Sequence, residues 1–429
     1  MALHIPKSRL FWAVGLGHLT NDIFMSMGPV VLAFISVTVM PMSNTQIGLT
    51  ISAAQMMGAI SQPGFGLIAD RTGGRFLGAG GVAWSVTFTL LALLGAQTGV
   101  FWLLFFPWML RALGSGAFHP VGSMHAADSK EGRSASNVAY FFLMGQVGLA
   151  MGPVIAGVLL DTFNPSTHGL YLTPFAPVYE DFLLRPGTVA PLYFVGLIAL
   201  PVVLNMLTRI PRTADYITAN GKSTQKADFK GMLASIPRAG LLILIAMVGL
   251  RGLAQPGTVA FVPVLFQEKG WSPSEYGAIT SMFWLASAIA GVIFGNIADR
   301  FDRRWVVALS LLASAPTFFL LPIVDGTAAF VMAIVAGGLS GGSHSIIVVL
   351  AQELIPGAKG FASGMILGLI FGVGALGTAM MGSLSDIIGL GTTFQAVSIA
   401  VVISAGLALM LPVKEAPQPI AMPEGASAD

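Results

Sequence analysis

Apolar runs of about membrane length, separated by short polar breaks, recur from one end of this 429-residue chain to the other. Roughly twenty apolar residues cross a hydrocarbon core. On that measure the pattern predicts twelve helices, at 10–39, 45–68, 76–96, 100–126, 134–161, 189–209, 238–266, 274–298, 305–322, 327–350, 361–385 and 390–412. Two polar stretches stand apart: 163–188, rich in proline and aromatics, reads as a long loop, and 210–237, which holds "NGKSTQKADFK", reads as a linker. The chain therefore divides into a six-helix bundle (1–209), a cytoplasmic linker (210–237), a second six-helix bundle (238–412) and a disordered cytoplasmic tail (413–429).

Composition agrees with the pattern. Charged residues make up 9% of the chain, against about 25% in an ordinary soluble domain, hydrophobic residues make up 55%, and the mean hydropathy is +0.81. The expected class is an all-α, multi-pass membrane protein. The N-terminal "MALHIPKSRL" runs into an apolar segment too long for a signal peptide and reads as a retained first helix. With no cysteine there is no disulfide, no thiolate metal site and no cysteine nucleophile. Neither HExxH nor GxSxG occurs, and the methionines are scattered, so no enzyme, no cofactor and no metal site is expected.

Charge sets the orientation. When loops are assigned alternately, seventeen of the 21 basic residues fall on the side holding both termini and only Arg185 and Lys269 on the other, with Arg111 and Arg251 inside helices. The positive-inside rule then places both termini in the cytoplasm, with the chain in the cell inner membrane or a compartment derived from it.

The chain also repeats itself. "GLIADRTGGRF" (66–76) recurs as "GNIADRFDRRW" (295–305) at an offset of 229 residues. "SGAFH" (115–119) matches "SGGSH" (340–344), and Asp128, Gly152, Gly157 and Asp161 match Glu353, Gly377, Gly382 and Asp386, at an offset of 225. Parallel repeats of this kind place a substrate site near mid-membrane, between the halves.

The duplicated loop resembles the signature of the major facilitator superfamily, over essentially the whole chain. "HLTND" (18–22) with "GSGAFHPVGS" (114–123) is similar to its fosmidomycin-resistance branch. The resemblance implies twelve helices in two pseudo-symmetric bundles that alternate access to a central cavity. It also implies that the loops latch the outward-facing state through Gly66, Asp70, Arg71, Arg75, Asp299, Arg300 and Arg304. Asp128 and Glu353, beside basic loops, read as further latches between the halves. "GQVGLAMGPVIAG" (145–157), with Gly148, Gly152, Pro153 and Gly157, is similar to a motif of members that export by antiport; small-residue packing is the competing reading.

Ionisable groups inside a bilayer are expensive and usually pair or line water. Here they are Asp22, Arg111 and Arg251, joined by His18, Asn21, His119 and His344, all on predicted helices one, four, seven and ten. Asp22 is expected to share a hydrated cleft with Arg111. His18 lies four residues away on the same face, so Asp22 and His18 form a candidate proton couple. A purely structural Asp22–Arg111 pair is the alternative. Arg111 also opens "RALGSG", which resembles the superfamily's helix-four pattern for proton transfer, except that Ser115 stands where a glycine is expected. Arg251 lacks an acid, so it either meets an anionic substrate or is captured by a carbonyl or by Gln255. His119 and His344 read as substrate or gating groups or as packing residues. The aromatics Phe141, Phe142, Phe283 and Trp284 either line the cavity or pack, and Asp161 and Asp386 read as markers of helix ends.

The expected function is a proton-coupled efflux antiporter for a small anionic or amphipathic compound. An uptake porter for a carboxylate or metal ion, or a non-transporting sensor or assembly factor, are the alternatives. The expected partners are substrate, protons and lipid, with no nucleic acid and a monomeric chain.

Overall fold

The computed structural model describes residues 6–127, 134–162, 189, 191–220, 238–354 and 359–412. The expected loop 163–188, most of the linker, the tail and Asp128 lie outside the described residues, as does the side chain of Glu353. Among the described residues every element is helical. In chain order the helices are α1 (Arg9–Ser26), α2 (Gly28–Thr38), α3 (Asn44–Thr72), α4 (Arg75–Ala96), α5 (Phe101–Ala127), α6 (Ser134–Thr162), α7 (Pro191–Arg209) and α8 (Thr213–Asn220). After the linker come α9 (Arg238–Gly252), a π-turn (Leu253–Gly257), α10 (Thr258–Glu268), α11 (Pro273–Ala298), α12 (Arg303–Leu320), α13 (Gly326–Gly342), α14 (His344–Leu354), α15 (Lys359–Ile388) and α16 (Leu390–Leu409).

These helices build twelve rods, and ten candidate spans are long and apolar enough to cross a membrane. The other two, α3 and α12, carry more polar residues. The rods expose Ile60, Leu197, Val292 and Ile403, which only lipid can cover in such numbers. Three rods are broken. The first breaks at Met27, where Pro29 follows in the first turn of α2, because proline supplies no N–H to the preceding turn. The seventh breaks at the π-turn around Pro256, and the tenth at Ser343. The expected linker is not wholly irregular, since α8 forms within it.

The helix starts repeat as well. Ser43 and Gln46 close a capping box at α3, and Ser272 and Glu275 close another at α11, 229 residues later. Each satisfies two main-chain donors that a helix start otherwise leaves orphaned.

Packing is different at the two ends of the molecule. At the end away from the termini, one continuous core runs from Val30, Phe34 and Ile47 of the first half to Phe261, Phe266 and Tyr276 of the second. At the terminus-bearing end each half keeps its own core, one around Phe11, Val121 and Ile210, the other around Leu244, Val307 and Leu411. The halves meet where α3 runs along α15, α6 along α11 and α2 against α10. The two lobes are thus fused at the far end and separated at the near end, with a cleft between them.

Asp386, expected only to mark a helix end, does more. Its carboxylate accepts hydrogen bonds from Asn44 N (2.9 Å) and Thr45 N (2.8 Å), capping α3 of the opposite lobe. Its repeat partner Asp161 is buried beside Tyr276 of α11, again across the lobes. Sequence position alone gave no sign of this, because the partner helix starts more than 340 residues earlier.

Candidate functional site

α1 carries His18, Asn21 and Asp22 on its buried face, just before the break at Met27. Its neighbours α5 and α6 complete the site. Asp22 is flanked by two imidazoles: His18 Nε2 lies 3.3 Å from Oδ2, and His119 Nε2, from α5, lies 3.6 Å from Oδ1. Asn21 Nδ2 donates to Asp22 Oδ1 (2.9 Å) and to Ser115 Oγ (3.0 Å), and the Ser85 hydroxyl lies 3.4 Å from Asn21 Oδ1. The side chains of His18 and Asp22 are 4% and 9% exposed, whereas that of His119 is 27% exposed. The cluster is therefore buried except at His119, whose side chain is partly exposed.

Both imidazoles are oriented from behind. His18 Nδ1 donates to the Phe141 carbonyl (2.8 Å), and His119 Nδ1 donates to the Ser115 carbonyl (2.8 Å). A carbonyl can only accept, so each ring carries its first proton on Nδ1 and turns Nε2 toward the carboxylate. His18 is further stacked on Phe141, with centroids 4.1 Å apart.

The glycine-rich face of α6 makes this possible. A Cβ at Gly145 would stand 2.5 Å from the His18 ring and 2.9 Å from Asp22 Oδ2, and one at Gly148 would stand 3.0 Å from Asp22 Cβ. Gly152 packs on α1 at Ser26, and Gly157 on Pro273 across the lobes. Gly148, Gly152 and Gly157 thus serve close packing, and Gly145 leaves room for the site itself. Gly145 opens the stretch "GQVGLAMGPVIAG" (145–157), yet nothing in the sequence marks it as part of the site.

The expected meeting of Asp22 with Arg111 does not occur. Arg111 donates from Nη1 to the Phe24 carbonyl (2.9 Å) and from Nη2 to the Met25 carbonyl (3.5 Å), and lies 4.0 Å over the Trp108 ring. The break in the first rod frees those carbonyls at the negative end of α1, and the guanidinium takes them. Histidines, not an arginine, attend Asp22.

Arg251 is likewise occupied within its own lobe. It donates from Nη2 to Gln255 Oε1 (2.6 Å) and to the Ser340 carbonyl (3.0 Å), and from Nε to Ser343 Oγ (3.3 Å). This is the capture by Gln255 and a carbonyl named above as the alternative to substrate contact. His344 tilts against Phe371 at 5.5 Å and meets no carboxylate among the described residues. The offset of 229 residues that relates the loops also relates Asp22 to Arg251. An acid and a base thus occupy equivalent positions of the two halves, each just before a broken rod. That signal was readable in the sequence and was missed.

The loop residues lie at the near end. Asp70, Arg71, Asp299 and Arg300 are exposed, and Gly66 makes ordinary contact with Pro120 of its own lobe. Arg304 pairs with Asp302 (2.7 Å) and donates to the Leu411 carbonyl (3.1 Å), tying α12 to the end of α16. Arg75 lies beside Phe76. Among the described residues no ion pair joins Asp70, Arg71, Arg75, Asp299, Arg300 or Arg304 to the opposite lobe.

The model for the Major Facilitator Superfamily matches residues 10–269 and 241–427. An uncharacterized MFS-type transporter, YfnC, of Bacillus subtilis (strain 168) is 28% identical over 93% of this chain and 91% of its own. The fosmidomycin resistance protein of Escherichia coli (strain K12) is 26% identical over 87% of this chain and 86% of its own. Among solved structures, a bacterial homologue of the human lysosomal transporter Spinster, in an inward-facing and occupied conformation, superposes with a TM-score of 0.73 at 16% identity, covering 94% of this chain and 96% of that one. The nucleoside transporter NupG gives 0.68 at 13% identity, over 94% and 98%. At these identities the superpositions speak for the fold alone.

Proposed function

Because the chain belongs to the Major Facilitator Superfamily, and so is a membrane transporter and not an enzyme, we propose that it is a proton-coupled antiporter that exports a small anionic or amphipathic compound. The observation that carries the proton is the contact of His18 Nε2 with Asp22 Oδ2 at 3.3 Å. With Nδ1 committed to a carbonyl, both facing atoms are acceptors until a proton lies between them, and two bare acceptors repel. A carboxylate flanked by two such nitrogens is a holder of protons, filled and emptied through His119.

The separated near end and fused far end support alternating access. The excess of Lys and Arg at the near end supports a cytoplasmic assignment for it, so the cleft opens inward, as in the conformation named for the Spinster homologue. Export, not uptake, is supported by the likeness to a resistance protein and by the glycine-rich α6. Phe142, 48% exposed and 6.1 Å from the His18 ring, offers an apolar wall next to the polar cluster, which suits an amphipathic cargo. An anionic cargo requires Arg251 to release Gln255.

Proteoliposomes carrying a pH gradient test the proposal. Asp22→Asn is expected to lose gradient-driven transport by at least tenfold while still supporting substrate counterflow. Proton flux at the unaltered rate in that variant would sink the coupling role.

A further inference from the structure

The three groups around Asp22 have a second property that proton holding does not require. His18, Asp22 and His119 each offer one donor atom, a ring nitrogen or a carboxylate oxygen, and these atoms all lie within 4.8 Å of one another. We propose that they form a binding site for a first-row divalent transition-metal ion, open to the cleft on the side of His119.

The geometry is that of a metal site before closure. Bonds of about 2.0–2.1 Å at a tetrahedral angle set neighbouring ligands about 3.4 Å apart; here His18 Nε2 stands 3.3 Å from Asp22 Oδ2 and His119 Nε2 3.6 Å from Oδ1, so the carboxylate turns one oxygen to each ring. The three donor atoms draw together by a small adjustment of His119, the most exposed of the three side chains. Metal-binding histidines usually donate their other ring nitrogen to a carbonyl or carboxylate, which fixes the tautomer. Both histidines already do so, to Phe141 and Ser115. The carboxylate is oriented in turn by Asn21 Nδ2. Gly145 puts no side chain of its own against the His18 ring and Asp22 Oδ2.

Two imidazoles and one carboxylate select the kind of ion. Mixed nitrogen and oxygen donors suit Zn²⁺, Co²⁺, Ni²⁺, Fe²⁺ and Mn²⁺, whereas Mg²⁺ and Ca²⁺ prefer oxygen alone and Cu⁺ prefers sulfur. Three protein ligands and an opening leave one position for water or a cargo donor. The ligands come from two helices about a hundred residues apart, and no spacing motif in the sequence joins them. The site binds or fails to bind whatever the direction and coupling of transport.

The full-length chain, purified in detergent, is titrated with CoCl₂ while visible absorption and equilibrium dialysis report binding. The expected result is roughly one Co²⁺ per chain with an intense tetrahedral-type band, displaced by Zn²⁺ and not by Mg²⁺. Affinity is expected to fall at least tenfold in Asp22→Asn and in His119→Asn, with thermal unfolding of each metal-free variant reporting that it folds. His119→Asn, on the exposed side of the cluster, keeps the test decisive if Asp22→Asn misfolds. Absence of bound cobalt in the wild type, or undiminished binding in His119→Asn, overturns the proposal. Proton-coupled flux measured in a chelating buffer reads the transport proposal separately, so either can fail alone.

Discussion

At the scale of single residues, the site depends on what is missing from α6 as much as on what α1 presents. Gly145→Ala places a methyl group against the His18 ring and Asp22 Oδ2. Overpacking of this kind typically costs about 1–3 kcal/mol. Thermal unfolding is expected to show a loss in that range, with transport falling further than stability because the added methyl group displaces His18 from Asp22. Arg111 makes the opposite case. Its partners are main-chain carbonyls, so Arg111→Met is expected to destabilise the fold by about 1–3 kcal/mol and leave proton-coupled flux measurable. Complete loss of coupling in a folded Arg111→Met would return this arginine to the proton path. Much of this was legible beforehand: His18, Asp22 and His119 stand out as polar residues in apolar surroundings. Their mutual contact was not, because the rotation of α5 against α1 is set by packing along its whole length. The same ignorance made Arg111 look like the partner of Asp22, since depth in the membrane was readable and azimuth was not.

At the scale of helices, breaks and caps carry the information. The capping boxes Ser43–Gln46 and Ser272–Glu275 sit at equivalent starts, and replacing either serine with alanine is expected to cost about 1 kcal/mol. Asp386 adds a cap supplied by the other lobe. Asp386→Ala is therefore expected to shift the equilibrium toward opening of the far end. The native chain has no cysteine, so a single cysteine placed at residue 44, labelled from the far side, reads this directly; unchanged labelling would argue that the cap does not hold the closure. At the near end, the Arg304 side chain holds Asp302 below the usual carboxylate range. That contribution is present above the ordinary carboxylate pKa of about 3.9 and is lost as pH falls through the lower folded value. Acid is thus expected to loosen the start of α12, with hydrogen exchange at Arg304 N as the measure. Rod number and approximate ends were legible because hydropathy and length report them. The breaks at Met27 and Ser343 were not read, although Gly28 and Pro29 follow the first and "SGGSH" (340–344) contains the second.

At the scale of the whole molecule, the repeat in the sequence is the repeat in space, but with opposite charges at its two equivalent sites. Asp22 sits among nitrogen bases and Arg251 among oxygen acceptors, so the first half offers acceptors to a cation while the second has a cation already installed. Exchanging them, as Asp22→Arg with Arg251→Asp, is expected to abolish transport even where the protein folds, because neither neighbourhood suits the transplanted group. Transport by that double variant would mean that only the pair matters and not its surroundings. The shared core at the far end bears on how the chain is held together. Phe261 and Phe266 of the second half are buried in the same apolar mass as Val30 and Phe34 of the first, so noncovalent contacts hold the halves together. A gene cut between codons 220 and 238 should accordingly yield two fragments that find each other in the bilayer, co-purify and regain transport, whereas either fragment alone would leave a greasy face without a mate.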